Sequence, residues 1–256
     1  MPKRKQKKKK SGGKKTAGKS QPDRATCSGK KETKKQSKAS ANASAGAFSR
    51  SALDTNALEF HSGATYDLGV AVARSLFSSE ECSLLQRTGA MTGSVEINDR
   101  HEELTFRHRV WRIEKSRAAW QHLFDRAIGA VRSVDDLYWR QISRVSQWHP
   151  EAEFIEYEVT PTPNGKPPKV LPGIGPHVDN ASLITLVVML TSTDSYRGGL
   201  SCFEGKTADT PRVLQLQQGD AVFFRGEKCE HWITDVEAGR RCILQIECCR
   251  MKPGRH

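Results

Sequence analysis

Three residues in the second half of the chain carry side chains that could share one metal ion. Pro176-His177-Val178-Asp179-Asn180 sets a histidine and an aspartate two positions apart, and His231 follows 52 residues after Asp179. On an extended strand, side chains alternate between faces, so His177 and Asp179 are expected on one side, roughly 6–7 Å apart, with Val178 facing the opposite layer. Two neutral imidazoles and one carboxylate occupy one face of an octahedron and leave three positions open, the donor set of non-haem ferrous sites. An HxD pair by itself is common by chance. An ordinary surface or capping set is the plain alternative, and the choice turns on whether the chain can bring His231 back to the pair.

The elements around these residues supply such a return. From Glu153 onward the pattern predicts short strands over 153–159, 174–179, 182–191, 198–204, 211–216, 220–225, 230–235 and 240–249, punctuated by Gly198-Gly199, Gly219-Asp220 and Gly239. Many short strands at this spacing indicate an all-β sandwich or barrel. Thr160 to Pro168 is rich in breakers and lacks backbone donors, so it predicts a surface loop. Upstream, Ser78 or Ser79 followed by Glu80, Glu81 and apolar residues predicts a capped helix start. Leu104 to Ile113 alternates apolar and basic residues as a strand does, with a bulge where the period slips. Trp120, Leu123, Phe124, Ala127, Ile128 and Val131 fall on one face of a helix, and a second helical stretch is expected from Val134 to Ser146. The fold class is thus α+β, with helices laid against a β-rich half.

Further features fall in a fixed order. After the HxD come the apolar run Leu183 to Leu190, the turn Arg197-Gly198-Gly199-Leu200, then Gly219-Asp220-Ala221-Val222-Phe223-Phe224, His231 and Gly239-Arg240-Arg241. From about Phe154 to Ile246 this resembles the prolyl 4-hydroxylase-like branch of the Fe(II)/2-oxoglutarate dioxygenases. The resemblance implies a double-stranded β-helix (jelly-roll, cupin-like) core over about 153–250, inside a domain spanning 58–251. It implies that His177, Asp179 and His231 hold Fe(II), and that Arg241 grips the distal carboxylate of 2-oxoglutarate. A guanidinium suits that task because it offers a bidentate, charge-assisted pair. Arg240 is the near competitor, since a one-residue shift on a strand exchanges faces. Tyr157, on the strand before the HxD, matches a co-substrate-contacting tyrosine of many members, though the loop from Tyr157 to His177 is longer than in compact members. Where some members carry another tyrosine this chain has Val187, Val188 and Met189, so contacts there are apolar or come from Thr185. The implied reaction couples decarboxylation of 2-oxoglutarate by O₂, giving succinate and CO₂, to hydroxylation of an unactivated C–H bond, with ascorbate keeping the iron reduced. The first substrate guess is a protein prolyl side chain.

Charge is distributed unevenly. Residues 1–38 hold fourteen Lys and two Arg against Asp23 and Glu32, a local charge of +14, whereas the whole chain is +12 and the remainder therefore about −2. Residues 1–51 contain almost nothing to bury and are expected to be a disordered Lys-rich tail. Its basic runs read as a nuclear or nucleolar address, as a non-specific nucleic-acid contact, or as a solubilising tail. Seven cysteines without a CxxC pair, no secretory leader and no long apolar run predict an intracellular protein with free thiols and no membrane partner. Oligomeric state leaves no signal in the sequence.

The remaining polar residues take bland expectations. Arg107, Arg109 and Arg112 are expected on the exposed face of an edge strand, with a substrate-pocket role as the alternative. Trp232 either walls a cavity or packs. Asn180 turns the chain, and His61, His101, His108, His122 and His149 show no ligand spacing. Cys229, Cys248 and Cys249 are expected as packed thiols. The same chemistry acting on nucleic acid is the second enzymatic reading, and a catalytically silent basic-tailed binding module is the non-enzymatic alternative.

Overall fold

A computed structural model describes residues 53–91, 96–97, 108–160, 163–166, 168, 170–207 and 210–251. The basic tail, Cys27, His101, Leu104 to Arg107 and part of the loop after Thr160 lie outside these residues. Two antiparallel sheets face each other. The larger runs in the order β1 (Leu58–His61), β2 (Val70–Ala73), β11 (Ala221–Phe224), β7 (Ser182–Met189), β13 (Val236–Arg250), β5 (Trp148–Glu158), β4 (Arg109–Arg112) and β3 (Glu96–Ile97). A short strand, β8 (Tyr196–Gly198), pairs with the start of β13. The smaller sheet runs β10 (Arg212–Leu214), β9 (Ser201–Phe203), β12 (His231–Ile233) and β6 (Ile174–His177). From β6 to β13 the chain passes back and forth between the sheets, which makes the fold a double-stranded β-helix.

The larger sheet is buried on both faces. Its outer face packs under α1 (Ser79–Met91) and α2 (Gln121–Tyr138), where Trp120, Leu123, Phe124, Ala127 and Val131 meet Phe154, Leu186, Val188, Leu244 and Ile246. Its inner face joins the smaller sheet through Ile155, Val187, Phe203, Val222, Phe224 and Ile243. This explains β7, whose eight residues are all buried and show no alternation: a central strand covered on both sides reads as a continuous apolar run.

Local chemistry fixes the ends of the elements. Ser78 Oγ accepts from the Glu81 backbone N–H while Glu81 accepts from the Ser78 N–H, a reciprocal cap on α1. Glu81 also takes both Nη atoms of Arg126 at 2.8 Å, tying α1 to α2. The Gly219-Asp220 turn serves the scaffold. Gly219 has φ +90°, and a Cβ there would lie 2.1 Å from the Phe77 carbonyl oxygen. Asp220 accepts from the backbone of Ser75 and Gln217 and pairs with Arg74.

Several expected boundaries are corrected. The second helix over Val134 to Ser146 does not form: α2 carries on to Tyr138, and only a 3-10 turn, Ile142–Arg144, follows. The Asp135 carboxylate accepts from the N–H groups of Gln141 and Ile142, and Arg140 adopts φ +52°, which together end the helix. The strand expected over 198–204 breaks at Gly198 and Gly199, both with positive φ, into β8 and β9. The strand expected over 174–179 stops at His177, so Asp179 sits in the following turn. β4 is interior, paired with both β5 and β3, not an edge strand.

Candidate metal and co-substrate site

The cross-strand register brings His231 to His177. The two residues oppose each other directly between β12 and β6, so both rings leave the same face of the smaller sheet, their centroids 4.3 Å apart. Asp179 reaches them from the turn after β6. Its Oδ1 lies 3.6 Å from Nε2 of His177 and 3.6 Å from Nε2 of His231, and the three donor atoms all fall within 4.8 Å of one another.

Neighbouring groups set their orientation. Nδ1 of His177 donates to the Gly175 carbonyl at 2.9 Å, and Nδ1 of His231 donates to the Cys229 carbonyl at 3.1 Å. A carbonyl can only accept, so each Nδ1 carries the proton and each Nε2 turns a lone pair toward Asp179. Burial holds the His231 imidazole below its usual pKa range against the pull of Asp179, which favours the neutral ligand form. The other carboxylate oxygen of Asp179 accepts from Thr185 Oγ1 at 2.7 Å, and Thr185 is in turn bonded to Ser182. The backbone N–H of Asp179 donates to Gly226, and Ala181 takes φ +67° to close the turn. Val178 does not face the opposite layer as expected. With the strand ended at His177, it is 38% exposed at the cavity mouth.

The histidines and Asp179 line a cavity of about 300 Å³ between the sheets, within the range of small-molecule sites. Tyr157, Ile155, Val187, Ser201, Val222 and Phe224 form much of its wall, and Trp232 contributes to it as well. Behind Ser201 and Tyr157 lies Arg241, opposite Tyr157 in the β13–β5 register and fully buried. Its Nη2 donates to Ser201 Oγ at 2.9 Å, and its Cζ stands 5.3 Å from the centre of the Tyr157 ring. Its Nε and Nη1 are buried without a hydrogen-bond partner, and among the described residues no carboxylate pairs with it. A buried guanidinium with free donors costs several kcal/mol unless an anion completes it. This donor set therefore fits a small dicarboxylate lying between Arg241 and the triad.

Arg240 points the other way and pairs with Glu156 through Nε at 2.5 Å. The alternation of β13 thus separates the two arginines. Gly199, at φ +60°, permits the approach of Arg241: a Cβ there would sit 2.9 Å from the Arg241 Cδ. Burial pushes the Tyr157 phenol up to about 12 although Arg241 pulls it down, so it stays protonated. Thr185 serves Asp179, Val188 joins the outer core, and Val187 alone of its neighbours Val188 and Met189 meets the cavity.

The cavity also holds residues that spacing did not reveal. His108, Glu153, Gln245 and Glu247 line it. His108 is buried, and burial pushes its imidazole down to about 4, with His177 adding to the effect. The register of β5 with β13 places Glu153, Gln245 and Glu247 beside the triad, and their inward alternation was the usable signal, whereas His108 arrives from the residue just before β4. Arg109 pairs with Glu156 and Glu158 on the outer face, and Arg112 with Glu151 and Glu153 near the mouth. Cys229 does not share a strand with His231, since β12 begins at His231. It is a buried thiol pushed up to about 12 by burial.

No family model matches the sequence, and no curated protein matches it. Solved structures do match the fold. A prolyl-4-hydroxylase of Pseudomonas putida is 12% identical with a TM-score of 0.50, covering 72% of this chain and 93% of its own. An oxidoreductase of the 2OG-Fe(II) oxygenase family from Burkholderia pseudomallei is 15% identical with a TM-score of 0.50, covering 71% of this chain and 84% of its own. A Trichoplax adhaerens prolyl hydroxylase, in complex with a hypoxia inducible factor peptide fragment, is 14% identical at the same TM-score and the same coverages. The double-stranded β-helix of this chain is the fold shared by these prolyl hydroxylases and the 2OG-Fe(II) oxygenase.

Proposed function

We propose that the chain is an Fe(II)- and 2-oxoglutarate-dependent dioxygenase that hydroxylates a C–H bond of a protein side chain, with proline the first candidate. The observation that carries this reading is the pairing of two features at one cavity, one lining it and one behind its wall. Two Nε2 lone pairs and one carboxylate converge on one point, and a fully buried arginine with free donors lies behind the same wall.

When bound, iron and 2-oxoglutarate supply the oxidising chemistry, with O₂ consumed and succinate and CO₂ released. The chain's own residues do the rest. His177, Asp179 and His231 would hold the metal, a three-residue donor set that would leave room for co-substrate and O₂. Arg241 binds the distal carboxylate, with Ser201 fixing the guanidinium and the Tyr157 ring lying against it. Val187, Val222, Phe224 and Ile243 keep water from the reacting atoms. Trp232, Val178 and Asn180 stand at the cavity where a substrate side chain would enter. The peptide bound by the Trichoplax enzyme supports a protein substrate. Ascorbate as reductant and a nuclear or nucleolar location through the basic tail belong to the same reading.

Purified protein given Fe(II), 2-oxoglutarate and a peptide pool is expected to release succinate. The His177→Ala/Asp179→Ala double variant is expected to lose both turnover and iron. Stoichiometric iron retained by that variant would sink the site assignment. Deleting residues 1–51 tests the tail: unchanged turnover on protein, with no turnover on DNA or RNA, removes nucleic acid as the substrate.

A further inference from the structure

A second group of ligand-type side chains lies where β5 and β13 end their pairing. His149 opposes Cys249 in the register, and Glu151 opposes Glu247. Residues two apart on a strand share a face, so all four project from one side of the sheet as the corners of a small square. Nε2 of His149 and Oε1 of Glu151 are 2.7 Å apart, and together with Cys249 Sγ they all fall within 4.8 Å of one another. Oε2 of Glu247 lies 3.8 Å from the same sulfur. None of these atoms belongs to the triad at His177, Asp179 and His231.

We infer that His149, Glu151 and Cys249 form a second metal site, selective for a zinc-class ion, with Glu247 as its fourth donor. Imidazole nitrogen, thiolate sulfur and carboxylate oxygen are the three donor types zinc takes, usually four at a time in a tetrahedron. The soft sulfur disfavours magnesium and calcium, which prefer oxygen alone. Local charge favours a cation as well. Glu151 and Glu153 share the Arg112 guanidinium at 3.4 and 3.3 Å, and among the described residues no Lys or Arg pairs with Glu247. Binding replaces the Cys249 S–H bond with a sulfur–metal bond and releases one proton to solvent, with no change of oxidation state. The ion would clip β5 to β13 beside the cavity, since Glu247 contributes to both the cluster and the cavity wall.

Cobalt(II) titration of the full chain tests this, because a thiolate–cobalt bond gives a near-ultraviolet charge-transfer band and the triad contains no sulfur. The band is expected to saturate by two cobalt per chain in the unmodified protein and at one per chain once the triad is removed, and to vanish when zinc is added. It should persist in His177→Ala/Asp179→Ala and be lost in Cys249→Ser. Absence of the band in the unmodified chain, or its survival in Cys249→Ser, overturns the proposal. Should Cys249→Ser not fold, His149→Ala at a half-exposed position decides: cobalt affinity more than tenfold weaker supports the site, and unchanged affinity overturns it. Because the band is read independently of turnover and of the triad, its failure and that of the oxygenase reading are distinguishable.

Discussion

Arg241 and Thr185 show how much of the site rests on single hydrogen-bonding groups. Arg241 is a cation enclosed by protein with one nitrogen hydrogen-bonded and two without a partner, so an anion reaching it past Ser201 and Tyr157 gains a charge-assisted pair there. Arg241→Met keeps volume and removes the charge. It is expected to raise the half-saturating 2-oxoglutarate concentration at least tenfold while iron binding is unchanged, as read by succinate release and metal analysis. An unchanged half-saturation would place the co-substrate elsewhere. Thr185 donates to the Asp179 oxygen that is turned away from the histidines. Removing such a supporting partner typically weakens metal affinity about 10–100-fold. Thr185→Val, nearly the same shape, is expected to do so with the fold intact by circular dichroism; equal affinity would mean that the metal bonds alone hold Asp179.

The strands and turns decide which side chains can meet. HxD was legible because two residues on one strand share a face, yet β6 ends at His177 and the turn at Ala181 carries Asp179 the rest of the way. The choice between Arg240 and Arg241 stayed open in the sequence, since either could follow Gly239 inward. The pairing of β13 with β5 separates their faces, setting Arg241 opposite Tyr157 and Arg240 opposite Glu158. The Gly-Gly motif likewise gains a reason. Gly199 combines a left-handed backbone with contact to Arg241, so Gly199→Ala is expected to cost about 1–3 kcal/mol by urea unfolding and to raise the 2-oxoglutarate requirement. Full stability and unchanged affinity in that variant would show that the β8–β9 turn can shift without disturbing the arginine.

Across the whole molecule, two cores share one sheet, and the six described cysteines are all buried and free of disulfides. Burial pushes the thiols of Cys82, Cys242 and Cys248 up to about 12, which leaves little reactive thiolate near neutral pH. Iodoacetamide at about pH 8 is expected to leave these three unlabelled until denaturant is added. Rapid native labelling, read by intact mass, would mean that the outer core opens under native conditions. Arg126 and Glu81 join the two helices over that core, and the outer face of β13 lies beneath it.

Composition and spacing alone determined the basic charge of the first residues, the amphipathic face of α2, the many-stranded second half and the candidate ligand types at 177, 179 and 231, because charge runs and periodicities are local properties. What they left undetermined was pairing. Which strand lies beside which, where α2 stops, and that His108, Glu247 and Cys249 come near or beside one cavity depend on register between residues far apart in the chain. Register is chosen by how the whole inner and outer faces pack, since a slip of one residue turns every side chain to the other side. That choice is made only when both sheets close.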